Sequence, residues 1–481
     1  MNFAIVRYLI GWMLGIESIF LLLPALTAVI YGEPELPAYL IAAAISLAGA
    51  ALLCHRKPKN TRFYAREGYV TVALCWLILA VIGALPFVLS REIPFFIDAL
   101  FETVSGFTTT GATILGDVEA LSHASMLWRC LTHWVGGMGV LVFMLIVLPL
   151  AGGQTIFLMR AESPGPSVSK MSPHMRDTAT ILYAIYFGLT VLQMILLLIG
   201  GMPLFDAICV SLGTAGTGGF GNWNDSIAHY NSAYLQNVIT VFMILFGINF
   251  SAYFLILTRK FRQAFRIEEI RVYLGVIFVF AGLIAFNVRP MFGSLRESFH
   301  HALFQVASII TTTGFSTVDF DQWPTFSRAL LVLLMFIGAC AGSTGGGIKC
   351  SRILLLGKSV KKELMCLIHP RLVRVNKMDG QRVPHEVMRS INVFVVAYAF
   401  IFILSLLIIS LNCEDLVTCF TSVATTLNNV GPGLSLCGPT CNFGFFPPLS
   451  KCVLIFDMLA GRLELFPMLL LFTPGTWQRN K

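Results

Sequence analysis

Apolar runs long enough to cross a lipid bilayer recur from one end of this chain to the other. A membrane helix needs about 20 consecutive apolar residues. Lipid offers no partner to an open backbone group, so such runs fold as a bundle of helices. Composition agrees: 56% of the 481 residues are hydrophobic and only 12% are charged, against about 25% charged in soluble domains. So few ionisable groups cannot cover a water-soluble surface of this size. The net charge of +8 does not point to nucleic acid. The basic residues sit in short segments between apolar runs, as the positive-inside rule places them.

The first run, about 8–30, is too long for a removable export signal and no small-residue cleavage site closes it. With a second run at 37–54 it predicts a two-helix transmembrane hairpin over 1–55. A basic loop with Arg56, Lys57, Lys59, Arg62 and Arg66 follows and is expected in the cytoplasm. One pattern then repeats four times, over 68–155, 177–260, 271–350 and 390–473. Each unit has a long span, a shorter apolar stretch, a Thr/Gly-rich knot, a polar loop and a second span. Segments after the second spans are basic (Arg160 and Lys170, then Arg259 and Lys260, then Lys358 to Arg389 by way of Arg374), whereas loops after the knots carry Asp117, Glu119, Asp225, Asp319 and Asp321. Each unit is therefore expected to enter from the cytoplasm, dip back from outside and return, leaving both termini cytoplasmic. The fold class predicted is all-α integral membrane, with four tandem helix–pore-loop–helix repeats around one pore.

The knots carry the chemistry. A stretch of about 12 apolar residues cannot span a bilayer, and Thr and Gly do not extend a helix well. Unwound backbone at membrane depth survives only when buried in protein or lining a watery path. Gly allows the torsions that aim successive carbonyls at one line, and rings of carbonyls can replace the hydration shell of potassium. Each short helix would also direct its partly negative C-terminus at the path, which favours a cation. No ring of Asp or Glu lies in the knots, so neutral oxygens must select, favouring potassium and its analogue rubidium over calcium. The competing reading is close helix packing of the small-xxx-small kind. Four knots at matching positions argue for a pore.

The runs Ser105-Gly-Phe-Thr-Thr-Thr-Gly111-Ala112, Trp128-Arg129…His133-Trp134-Val-Gly-Gly-Met-Gly139, Gly314-Phe-Ser-Thr317, Gly342-Ser-Thr-Gly-Gly-Gly-Ile-Lys349 and Asn428-Asn-Val-Gly-Pro-Gly433 resemble the bacterial Trk/Ktr and plant HKT superfamily of cation transporters, over essentially the whole chain. The resemblance implies potassium uptake across a bacterial inner membrane and one filter glycine per repeat: Gly111, Gly219, Gly314 and Gly431. The flanking Thr109, Thr110, Gly218, Thr312, Thr313, Asn429 and Val430 would complete the filter. Gly219 is preferred to the adjacent Gly218 because Gly219-Phe220 then aligns with Gly314-Phe315.

Outside the filter, the glycine run from Gly338 to Gly347 interrupts the second span of repeat three. The resemblance implies that this stretch, with Gly345, Gly346, Gly347 and Lys349, is an intramembrane loop that gates the pore; a plain kink is the alternative. Arg462 lies inside the last apolar run, where an arginine is costly and usually functional. The resemblance sets it in the pore below the filter, with Glu464 or loop carbonyls as candidate partners. Arg129 and His133, four apart, are read as packing and interhelical hydrogen bonding rather than a metal or proton site. A disulfide between Cys437 and Cys441 stays open. The resemblance further implies a homodimer and a cytoplasmic ring of TrkA, a soluble nucleotide-binding regulator. This chain carries no nucleotide motif and no enzyme signature, so no bound cofactor is expected. An ion-coupled symporter, using proton or sodium, is the alternative function.

Overall fold

The computed structural model describes residues 1–58, 64–147, 175–371 and 375–478. Lys59, Arg62, Arg160, Lys170, Arg374 and the end of the expected first repeat lie outside them.

Two helices, Phe3–Tyr31 and Leu36–Cys54, open the chain. Gly32, at φ 69°, takes the left-handed turn between them, a conformation glycine adopts without a side-chain clash. Small residues hold the pair together: Ser18 donates to the Ala43 carbonyl (3.0 Å) and Ser46 to that of Leu14 (2.8 Å). Where lipid is as apolar as the helix surface, such bonds and close packing replace hydrophobic driving force. The opposite face, with Ile19, Leu22, Leu26 and Ile30, is exposed and suits contact with lipid tails.

The four repeats follow. Repeat one comprises Ala65–Ser90, the short Phe96–Phe107 and His123–Val147. Repeat two comprises Met175–Ile199, Leu204–Gly216, and Ala233–Phe246 continued by Phe250–Leu257. Repeat three has Glu268–Val288, Leu295–Ile310, Thr325–Ile337 and Cys350–Ile368; repeat four has His385–Ser410, Leu416–Leu427, Pro448–Arg462 and Phe466–Leu471. A two-residue antiparallel hairpin, Lys377–Met378 with Gln381–Arg382, sits before the last repeat.

Among the described residues six helices are long and apolar enough to cross a membrane, or seven if one bent pair counts as a span. The second spans are the irregular ones. The sequence predicts a break in repeat three only, where one helix ends at Ile337 and the next begins at Cys350. Two further breaks exist. In repeat two the chain turns by 93° between Phe246 and Phe250, and the Asn249 side chain caps the new helix by accepting from Ser251 N (2.8 Å). In repeat four Glu464 and Leu465 take positive φ (57° and 66°), which separates Arg462 from the final short helix.

Candidate functional site

The four short helices end in the same way. After each, one residue takes a left-handed conformation: Thr109 at φ 55°, Thr217 at 55°, Thr312 at 58° and Asn429 at 56°. The next amide then bonds back to a carbonyl five residues earlier: Thr110 to Ser105 (2.9 Å), Gly218 to Gly213 (2.9 Å), Thr313 to Ser308 (2.8 Å) and Val430 to Thr425 (2.8 Å). A glycine with positive φ follows each time: Gly111 (80°), Gly219 (77°), Gly314 (85°) and Gly431 (98°). Left-handed threonine costs about 1–2 kcal/mol. A cost repeated at equivalent positions marks a constrained, functional backbone.

These segments close a ring. A Cβ built on Gly111 would collide with the Gly218 carbonyl oxygen, and one on Gly219 with that of Thr313. One on Gly314 would lie 2.5 Å from the Val430 oxygen, and one on Gly431 2.7 Å from the Thr110 oxygen. Repeat one therefore touches two, two touches three, three touches four, and four returns to one. The outer loops close a second ring in the same order. Val118 N donates to Asn224 Oδ1 (2.8 Å), Ile227 N to the Ser316 carbonyl (3.1 Å), Ser435 N to Asp321 Oδ2 (3.1 Å) and Phe443 N to the Thr113 carbonyl (2.8 Å). The Lys451–Asp98 ion pair (2.6 Å) adds a further link from repeat four to repeat one. All four glycines line one open cavity of about 770 Å³ between these rings. Cys437 and Cys441 line it too, as free thiols.

The register resolves the choice in repeat two: Gly219, not Gly218, has the backbone of the other three glycines. Gly218 instead lies against the His133 ring. His133 Nδ1 bonds to the Gly106 carbonyl (2.7 Å), and its ring lies on Phe220 (4.2 Å between centroids). Arg129 makes a buried ion pair with Glu102 (2.8 Å) and sits 4.1 Å over the Phe220 ring. Glu102 also accepts from Thr113 Oγ1 and Ile114 N, both at 3.0 Å. These groups brace the ring from behind, the packing role read for Arg129 and His133. Among the described residues no cluster of His, Cys, Asp or Glu could hold a metal. Sequence reasoning passed over Thr217, which is the left-handed residue of repeat two, and Glu102, whose only signal is an acid inside a short apolar helix.

On the side of the ring away from the cavity lies the loop from Gly338 to Lys349. Gly346 N donates to Thr312 Oγ1 (2.6 Å), and a Cβ on Gly346 would sit 2.5 Å from the Asn428 carbonyl oxygen. A Cβ on Gly345 would sit 2.9 Å from that of Thr311. Gly347 faces Gly338 at the base of the loop rather than the ring. The bend of repeat two satisfies the loop's backbone: Cys340 N donates to the Gly247 carbonyl (3.1 Å) and Phe250 N to that of Gly342 (3.0 Å). Two interrupted spans thus complete each other, which non-helical backbone at this depth requires. Lys349 bonds to the Gly345 carbonyl.

Arg462 reaches the loop from the end of its helix. Its Nη1 donates to the Thr344 carbonyl (2.8 Å) and its Nη2 to the Gly136 carbonyl of repeat one (2.6 Å). Of the two partners expected, a loop carbonyl, that of Thr344, accepts from Arg462. Glu464 forms an ion pair with Arg352 (2.5 Å), and Arg352 also lies 4.2 Å over the Phe394 ring.

Comparison with known proteins gives one answer. The TrkH model, described as cation transport protein, matches residues 37–478. The Trk system potassium uptake protein TrkH of Salmonella typhimurium is 38% identical over 99% of this chain and 100% of its own length; that of Escherichia coli K12 is also 38% identical with the same coverage. The crystal structure of the potassium transporter TrkH from Vibrio parahaemolyticus superposes with a TM-score of 0.90, at 32% identity, covering 99% of this chain and 100% of that one.

Proposed function

The chain belongs to the TrkH family of cation transport proteins, and from that membership we propose how its own residues move the ion. It is a membrane protein of potassium uptake. The observation that carries the mechanism is the closed ring of four glycine-containing segments. In this reading Thr109, Thr110 and Gly111, then Gly218 and Gly219, then Thr312, Thr313 and Gly314, then Asn429, Val430 and Gly431 form the selectivity filter. Backbone carbonyls replace the hydration shell of potassium or rubidium, while the C-termini of four short helices favour a cation.

Gly345, Gly346, Gly347 and Lys349 then belong to the gate. The guanidinium of Arg462 fixes the loop through Thr344 and adds positive charge below the filter, so the loop must release before an ion passes. The Arg352–Glu464 pair anchors the same region from repeat four. Four repeats sharing one orientation favour a gated pore over a proton- or sodium-coupled carrier, whose site would sit at the midplane between inverted repeats. The protein then needs no cofactor and catalyses no reaction. It works in the bacterial inner membrane with both termini cytoplasmic, as a homodimer docked on a TrkA ring.

Flux into liposomes holding the purified protein tests this reading. Potassium and rubidium should pass in preference to sodium and lithium, and Gly314→Ser should lower that preference. Equal passage of all four cations, or unchanged selectivity in Gly314→Ser, would overturn it.

A further inference from the structure

The two ends of the loop in repeat three meet at one oxygen atom. Glu269, in the first turn of helix Glu268–Val288, is 2% exposed. Its Oε1 accepts from Ala341 N (2.7 Å) and from Ser351 N (3.0 Å). The first amide belongs to the strand that enters the loop, the second to the first turn of helix Cys350–Ile368 that leaves it. Lys349, which precedes that helix, gives it no side-chain cap. The first N–H groups of a helix have no partner within it, so a carboxylate from another helix fills that place and meets the positive end of the helix. Backbone bonds also close the base, from Cys350 N to the Ala339 carbonyl (3.0 Å) and from Ile348 N to that of Phe336 (3.4 Å), but these fold the span on itself. Glu269 ties it to a different helix. The start of that helix is itself fixed: Glu268 N donates to Asp379 Oδ1 (2.7 Å), and Lys358 bonds to both the Glu268 carboxylate and the Lys377 carbonyl.

We propose that Glu269 is the positioning residue of the gate, given that this loop is the gate: its carboxylate pins both ends of the segment from Gly342 to Cys350, which holds Gly345 and Gly346 against the ring. Pinned in this way, the segment leaves the ring only by swinging about its base. The bond from Gly346 N to Thr312 Oγ1 (2.6 Å) is the one that breaks, whereas those from Ala341 and Ser351 to Glu269 persist. Glu269 touches no ion on this path and acts through the loop alone.

Potassium flux into liposomes holding the purified full-length protein separates reach from charge. Glu269→Asp keeps the charge but draws the carboxylate back by one methylene, so that it no longer spans both amides. Flux should rise about tenfold, the change that one lost bond to a charged group corresponds to, with the preference for potassium over sodium kept. Glu269→Gln keeps an oxygen at the same reach and should stay well below Glu269→Asp. Flux in Glu269→Asp equal to that of the unmodified protein, a rise in Glu269→Gln that matches it, or a rise that erases the preference for potassium would overturn the proposal. Arg462→Ala in the same liposomes reports on the gate itself: a rise there with none in Glu269→Asp removes Glu269 alone, whereas no rise in either removes the gate. Amide hydrogen exchange of the unmodified protein in lipid nanodiscs, followed by mass spectrometry, needs no variant to fold. The Gly346 amide should exchange faster than those of Ala341 and Ser351, and equal rates or the reverse order would contradict a pinned base.

Discussion

Single side chains set the sharpest expectations at the ring and the loop. Gly431 can carry no Cβ without meeting the Thr110 oxygen at 2.7 Å, and its φ of 98° excludes most L-residues. Gly431→Ala should therefore displace the carbonyls of repeats four and one together, lowering potassium-over-sodium selectivity measured by liposome flux. Gly218→Ala should act differently: its methyl meets the His133 ring, so protein yield and melting temperature should fall. Arg462 gives two hydrogen bonds to carbonyls, and bonds to charged groups contribute about 1.5–3 kcal/mol each. Arg462→Ala should raise potassium flux by about tenfold or more, read in the same liposomes; unchanged flux would remove the residue from the gate. Glu102→Gln leaves Arg129 as an uncompensated buried charge, at a cost of about 3–5 kcal/mol, and should lower the melting temperature of the purified protein.

Among the elements, the short helices are the best specified in the sequence. Their length is too small for a span, and the Thr/Gly residues after them refuse the helix, so the knots of repeats one and three announce themselves through Thr-Thr-Thr-Gly. The fourth helix begins at Asp415, whose carboxylate accepts from Val417 N (3.2 Å) and Thr418 N (3.0 Å). The Thr418 hydroxyl, then Ser435, hold this carboxyl down at about 2. Because the folded value lies below the ordinary 3.8, the cap stabilises fully above that value. Its contribution fades as pH falls toward 2. Asp415→Ala should cost about 1 kcal/mol as a lost cap, seen as a lower melting temperature at pH 7 and a smaller difference near pH 2. The broken second spans were only partly legible. Repeat three has glycines enough to announce its loop, but the 93° bend of repeat two rests on one Gly and one Asn inside an apolar run. One such Gly costs a helix only about 1 kcal/mol, too little by itself to announce a break. What decides the bend is the loop of repeat three, which bonds to both its sides and comes from about a hundred residues away.

At the scale of the molecule, four copies of one plan meet around one axis in chain order. Periodicity in a sequence reports which residues share a helix face, and repetition reports how many units exist; neither states which carbonyl meets which glycine. The pairing of Glu464 with Arg352 was hidden for the same reason, since the partners lie 112 residues apart and Arg462 is the nearer cation in sequence. The ring itself follows from geometry: each segment is wedged against the next, so a change in one repeat should be felt by its neighbour rather than by the repeat opposite. The most direct test of the whole account is anomalous diffraction from crystals of this protein grown with rubidium in place of potassium. An anomalous peak should lie on the ring axis, at the level of the Thr110, Gly218, Thr313 and Val430 carbonyls. Rubidium found only elsewhere in the protein, with the axis empty, would contradict the claim that these four segments are the filter.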